Sequence, residues 1–312
     1  MPAASFEPGL RPRRRSRVLG LLLLAVAAHA RAGAIGSDLR IEAHANLLLA
    51  ADAAQPPPSL PAQGNASQQA TLSAIVGGRS SAASVTAQLA ASGTLPQGGT
   101  LLDLGDGVGI TADMSGLCDG APAQTDGLFG EYDFDLRNRS ATDRYRVSLK
   151  IEFSNSVAAA GPATAPDGAY SIGLITFAED GGERFYSNLT SDTVLGDKID
   201  VTPTGTLGQP LRDGGVRTLD VEVPPGGAIH LAGRQELRGA ATTSGASYHG
   251  TLRAFVSVIA AVNMTQPSAV VAADAAAAPA RDASPSAFFL YGMAICVALA
   301  LLGVIWFTRR RK

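Results

Sequence analysis

From Arg144 to Phe153 apolar and polar side chains alternate without a break, Tyr145, Val147, Leu149, Ile151 and Phe153 against Arg144, Arg146, Ser148, Lys150 and Glu152. Successive side chains of an extended backbone point to opposite faces, so this pattern predicts a strand with one face in a core and one in water. Leu39, Ile41, Ala43, Ala45, Leu47 and Leu49 alternate in the same way with Arg40, Glu42, His44 and Asn46. Further strands are expected at 85–89, 108–112, 132–136, 170–177, 184–187, 219–223, 228–231 and 251–262. Turn residues separate them at Asp167-Gly168, Asp180-Gly181-Gly182, Asp213-Gly214-Gly215 and Pro224-Pro225-Gly226-Gly227. Between the two ends of the chain no helical stripe with caps stands out. The expected fold is mainly β, an antiparallel β-sandwich over residues 33–262 with its main core at about 130–262, because the stretch Ala66–Ser92 is built of small side chains.

The two ends carry a different signal. Residues 11–17 (RPRRRSR) precede the apolar run Val18–Ala28, which is too short to cross about 30 Å of hydrocarbon as a helix. Ala28-His29-Ala30 and Ala30-Arg31-Ala32 then offer small residues at signal-peptidase spacing. Residues 1–32 therefore read as a secretory signal peptide, cleaved after Ala32 or after Ala30. At the other end Ala287–Thr308 carries no charge over 22 residues, has aromatic residues at both ends and runs into Arg309–Lys312. That is the pattern of one transmembrane helix with a basic cytoplasmic tail, preceded by an Ala/Pro-rich stalk at 263–286. The positive-inside rule puts the intervening residues outside the cytoplasm.

With ten cations gathered at the termini, residues 33–308 hold 15 basic against 26 acidic residues, a net charge of about −11. Such a surface lacks the concentrated Lys and Arg that phosphate backbones require, so nucleic acid is not expected as a partner. Cys118 and Cys296 lie in segments of opposite character, and no disulfide between them is expected.

No catalytic set is legible. His44, His230 and His249 lack metal-ligand spacing, and Gly245-Ala246-Ser247-Tyr248-His249-Gly250 misses the nucleophile-elbow pattern by one position. Glu131, Asp133 and Asp135 share one face of a strand and repel one another unless a cation or the following Arg137 and Arg139 intervene, which makes them a candidate calcium site. Asp103 and Asp106 in LLDLGDGVG are a second, weaker one. No other cofactor is expected. Asn65, Asn138, Asn188 and Asn263 each begin Asn-x-Ser/Thr and are candidate glycosylation sites in a eukaryotic or viral secretory route.

The arrangement of signal peptide, Gly/Ala/Ser/Thr-rich β region, short stalk, apolar helix and arginine cluster resembles bacterial surface proteins of the PEP-CTERM, exosortase-sorted kind. The blocks YDFDLRNRSATDRYRVSLKIEF from Tyr132 and Gly227–Val262 are similar in style to their choice-of-anchor β domains. Ser284-Pro285-Ser286 stands where that family has Pro-Glu-Pro. The resemblance implies the architecture of a membrane-anchored protein of the cell surface or envelope and leaves the activity open; the two targeting segments and the lack of a convergent catalytic set lead us to expect a non-enzymatic protein acting in envelope structure or adhesion. The alternatives are a surface module binding calcium or glycans, the latter by stacking on exposed Tyr132, Tyr170, Tyr186 or Tyr248, and a type I viral or eukaryotic envelope glycoprotein.

Overall fold

The computed structural model describes residues 33–49, 58–162, 168–204, 209–266 and 270–272. The chain divides between Arg31 and Ala32 into two units, and every described residue belongs to the second. The expected signal peptide, apolar run 287–308 and basic tail lie outside the described residues. Among the described residues there is no helix, and so none long and apolar enough to cross a membrane.

Sixteen strands follow one another among these residues: β1 Leu39–Leu47, β2 Ala66–Val76, β3 Arg79–Val85, β4 Ala91–Ser92, β5 Gln97–Leu101, β6 Gly107–Leu117, β7 Ala123–Asn138, β8 Tyr145–Ala160, β9 Ala169–Glu179, β10 Gly182–Asp192, β11 Lys198–Ile199, β12 Thr202–Pro203, β13 Leu211–Val223, β14 Ala228–Ala241, β15 Ser247–Asn263 and β16 Val270–Ala272. They form two antiparallel sheets. The first has the order β12-β11-β10-β9-β14-β7-β1-β5, and the second β13-β8-β15-β6-β2-β3-β4 with β16 beside β15. The mainly β, antiparallel character read from the alternation is what the structure has. The Asp180-Gly181 turn joins β9 to β10 with positive φ at both residues (45° and 83°), the backbone twist that suits a two-residue hairpin.

Four details depart from the sequence expectations. The strand expected at 85–89 instead ends at Val85, and Leu89 turns the chain with φ 58°. Asp213-Gly214-Gly215 is no turn but part of β13, paired with Asn155, Ser154 and Phe153 of β8. A Cβ on Gly214 would lie 3.1 Å from the Phe153 carbonyl oxygen, so glycine here serves close strand approach. The core is wider than 130–262: one buried cluster runs from Leu39 to Ala261 and takes in Ala70, Leu72, Val108 and Ile110 of the small-residue half. Finally, β16 falls within the expected stalk, pairing with Ala260–Val262.

The facing sides of the two sheets meet in this core, and buried hydrogen bonds cross it. The Tyr132 hydroxyl (β7) accepts from the Ile110 amide (β6) at 3.1 Å and reaches the Gln235 Oε1 (β14) at 2.9 Å and the Ala254 carbonyl (β15) at 3.0 Å. Ile110 and Ala254 are opposed in the β6–β15 ladder, so a side chain of one sheet is built into the backbone pairing of the other. Burial raises the Tyr132 phenol far above its ordinary range, the Ile110 amide opposing it only in part. Nearby, Tyr248 and Thr125 hydroxyls meet at 2.8 Å, and the Asn155 amide donates to the Gly173 carbonyl at 2.8 Å.

Tyr132→Phe keeps the ring and strands the Ile110 amide and the Gln235 carbonyl in the core. We expect a loss of about 1–3 kcal/mol in urea unfolding, the range for an unsatisfied buried polar group. A variant as stable as the parent would show that the hydroxyl does not tie the sheets.

Candidate functional site on the outer face of the first sheet

Because Tyr132, Phe134 and Leu136 of β7 point inward, Glu131, Asp133, Asp135 and Arg137 point outward. Strand register sets what stands beside each. Arg137 lies between Arg40 of β1 and Ala228 of β14, Asp135 between Glu42 and His230, Asp133 between His44 and Ala232, and Glu131 between Asn46 and Arg234. The outward face thus carries a cationic row, then an anionic row, with ion pairs running along the strands from Arg40 to Glu42 and from Arg137 to Asp135.

The expected acidic trio is divided by this register. The His230 Nδ1 lies 3.5 Å from Asp133 Oδ1 and 3.4 Å from Asp135 Oδ1, and the three potential ligand atoms fall within 4.8 Å of one another. Glu131 stands instead opposite Arg234. Its carboxyl pKa is raised, first by burial and then by the Asp133 charge, with Arg234 pulling the other way. The Asp133–Asp135–His230 group is about half exposed. Its imidazole nitrogen and two carboxylate oxygens are close enough together to ligate a divalent cation. His230 lies 95 residues beyond Asp135, and only the β7–β14 register brings it there.

Asp106 has a different role from the one expected. It is buried, and its carboxylate accepts from the amides of Gly77 and Leu102 at 2.8 Å, Asp103 at 3.0 Å and Gly78 at 3.4 Å. Its lone pairs go to two turns, so it serves as a loop tether and leaves Asp103 without a second carboxylate partner for an ion.

The four sequons are unlike one another. Asn138 is buried, and its amide nitrogen donates to the carbonyls of Asp143, Val223 and Pro224 while its oxygen accepts from the Ser140 amide. Asn263 is also buried, and its oxygen accepts from the Thr265 and Gln266 amides. At both positions Asn-x-Ser/Thr is the signature of an asparagine-capped turn. Asn188 donates to the Tyr186 hydroxyl at 2.9 Å, and Asn65 is exposed at the start of β2.

The expected aromatic platform is likewise altered. Tyr132 and Tyr248 are core residues, Tyr170 is partly buried, and Tyr186 alone of the four is exposed, at 37%. Cys118 is a buried free thiol, and Gly245, with φ 81°, belongs to the turn before β15.

No protein family and no curated protein matches the sequence. Among solved structures the chain is similar to the VP2 subviral particle of infectious bursal disease virus, with 11% identity over 74% of this chain and 67% of that one and a TM-score of 0.14. The T13 particle of the same virus gives 10% identity over 73% and 64%, with a TM-score of 0.13. TM-scores this low define no shared fold.

The raised carboxyl of Glu131 means that the fold disfavours its charge. The penalty is absent at about pH 3, where the group is protonated folded and unfolded alike, and grows as pH rises through the carboxylate range. Glu131→Gln should therefore raise the melting temperature at neutral pH and leave it unchanged at about pH 3. A variant destabilised at neutral pH would show that the attraction to Arg234 outweighs burial.

Proposed function

We propose that this chain is a non-enzymatic, single-pass membrane protein that displays its two-sheet unit outside the cytoplasm and acts in surface or envelope architecture or adhesion, with the layout of PEP-CTERM-type surface proteins but with its anchor retained. One observation carries the reading. The strand-bearing unit starts at Ala32, beside the expected signal cleavage, and its last described strand ends at Ala272, with 14 residues between it and the uncharged run that begins at Ala287. Described strands from Leu39 to Ala272 suit a displayed domain between the expected export signal and the expected anchor. Its outward faces are polar, with ion pairs exposed to solvent, as suits a unit that stands in water.

A second reading is supported by the Asp133–Asp135–His230 geometry: a cation-dependent surface module. One imidazole nitrogen beside two carboxylates matches a borderline ion such as zinc better than calcium, which takes six to eight oxygen ligands.

Mass-spectrometric mapping of both termini on protein from its native membrane tests the first reading. We expect an N-terminus at Gly33 or Arg31 and a C-terminus at Lys312. A C-terminus between Ser284 and Ala287 would mean sorting with removal of the anchor, and an intact Met1 would contradict export. Glycans on Asn65 or Asn188 in the same run would favour the envelope-glycoprotein alternative.

A further inference from the structure

The cationic row of the first sheet ends in a cleft. Arg40 and Arg137 are exposed and directly opposed in the β1–β7 ladder, where like charges repel. Each is balanced on one side only, Arg40 by Glu42 and Arg137 by Asp135 at 3.5 Å. Arg139 continues the same outward face past the end of β7. Its amide is fixed to the Asp38 carbonyl at 2.7 Å, while its guanidinium has no hydrogen bond or ion pair among the described residues. The three arginines and Glu42 line a cleft of about 510 Å³, closed on another side by the Gly226-Gly227 turn, which puts no side chain over the opening. Beneath it Asn138 locks the backbone through three carbonyls. Three guanidiniums against the lining Glu42 and the flanking Asp135 leave a local excess of positive charge in a region whose net charge is about −11.

We propose that this cleft is an oxyanion site in which Arg40, Arg137 and Arg139 hold a phosphate-type group. Guanidinium forks donate paired hydrogen bonds to such oxygens, and a bound anion adds to the attraction by which Glu42 and Asp135 already offset the Arg40–Arg137 repulsion, while giving Arg139 a partner. The place of the cleft points to the source. Arg139 opens the loop that joins β7 to β8, and the far end of that loop holds the exit of β15: the Arg144 amide donates to Thr265 Oγ1 at 3.0 Å and the Met264 amide to the Arg144 carbonyl at 2.7 Å. The 14 residues between Ala272 and Ala287 span at most about 50 Å, and about 20 Å as a flexible coil. Resting on the anchor reading above, the cleft lies within reach of the bilayer surface, and the phosphate of an anionic lipid headgroup is its ligand.

Arginine modification by phenylglyoxal, read peptide by peptide in mass spectrometry, tests this on the full chain in nanodiscs and phosphate-free buffer. Exposed Arg212 and Arg253 serve as internal references. In phosphatidylcholine discs, added inorganic phosphate should slow labelling of Arg40, Arg137 and Arg139 by about fivefold relative to the references. Phosphatidylglycerol discs should do the same without added phosphate, and salt should reverse it. Arg139→Gln, an exposed change that leaves thermal unfolding unaltered, should remove the protection of Arg40 and Arg137. Protection by phosphate but not by phosphatidylglycerol would overturn the lipid assignment and leave a site for a soluble phosphate compound. Equal labelling in every condition would overturn the site itself, whatever terminus mapping says of the anchor.

Discussion

The Tyr132 hydroxyl fixes how the two sheets lie on one another. Apolar side chains pack in many nearly equivalent ways, but a buried hydroxyl that must meet an amide on β6, a carbonyl on β15 and a glutamine on β14 has one solution. Its ring continues the constraint, standing 5.2 Å from Phe177, which is 6.2 Å from Phe185, which meets Phe153 of the second sheet at 4.7 Å. Sliding one sheet by a residue would break the hydrogen bonds and this aromatic file together.

Once Tyr132 points inward, the outer face follows from the two-residue period alone. Strand register then does what local sequence does not, setting like charges opposite one another, Arg40 against Arg137 and Glu42 against Asp135. The face tolerates this because attraction along each strand offsets repulsion across strands. The same register carries His230 to the acidic pair and leaves Arg139 over a cleft. Both candidate binding features therefore arise from strand pairing and from no motif.

This explains what was legible in the sequence. Alternation at 39–49 and 144–153 has a local cause and gave the strands there. Ala66–Ser92 lacks bulky alternating residues, so the hairpin of β2 and β3 left little trace, and glycines that ease strand approach in β13 looked like a turn. Glu131, Asp133 and Asp135 were readable as a face, but their division between Arg234 and His230 depends on a partner strand about a hundred residues away. Asn138, Asn263 and Asp106 were misleading for a shared reason. Short polar side chains that cap turns use the same spacings as modification and ion-binding motifs.

The central claim is that the Tyr132 hydroxyl couples the sheets, and a double-mutant cycle of Tyr132→Phe with Gln235→Met measures that coupling most directly. An interaction free energy of about 1 kcal/mol or more is expected in urea unfolding, since Tyr132→Phe leaves the Gln235 Oε1 without its donor and Gln235→Met takes an acceptor from the hydroxyl, which keeps only Ile110 and Ala254. Additivity to within about 0.5 kcal/mol would mean that the two side chains act independently, and would contradict the claim.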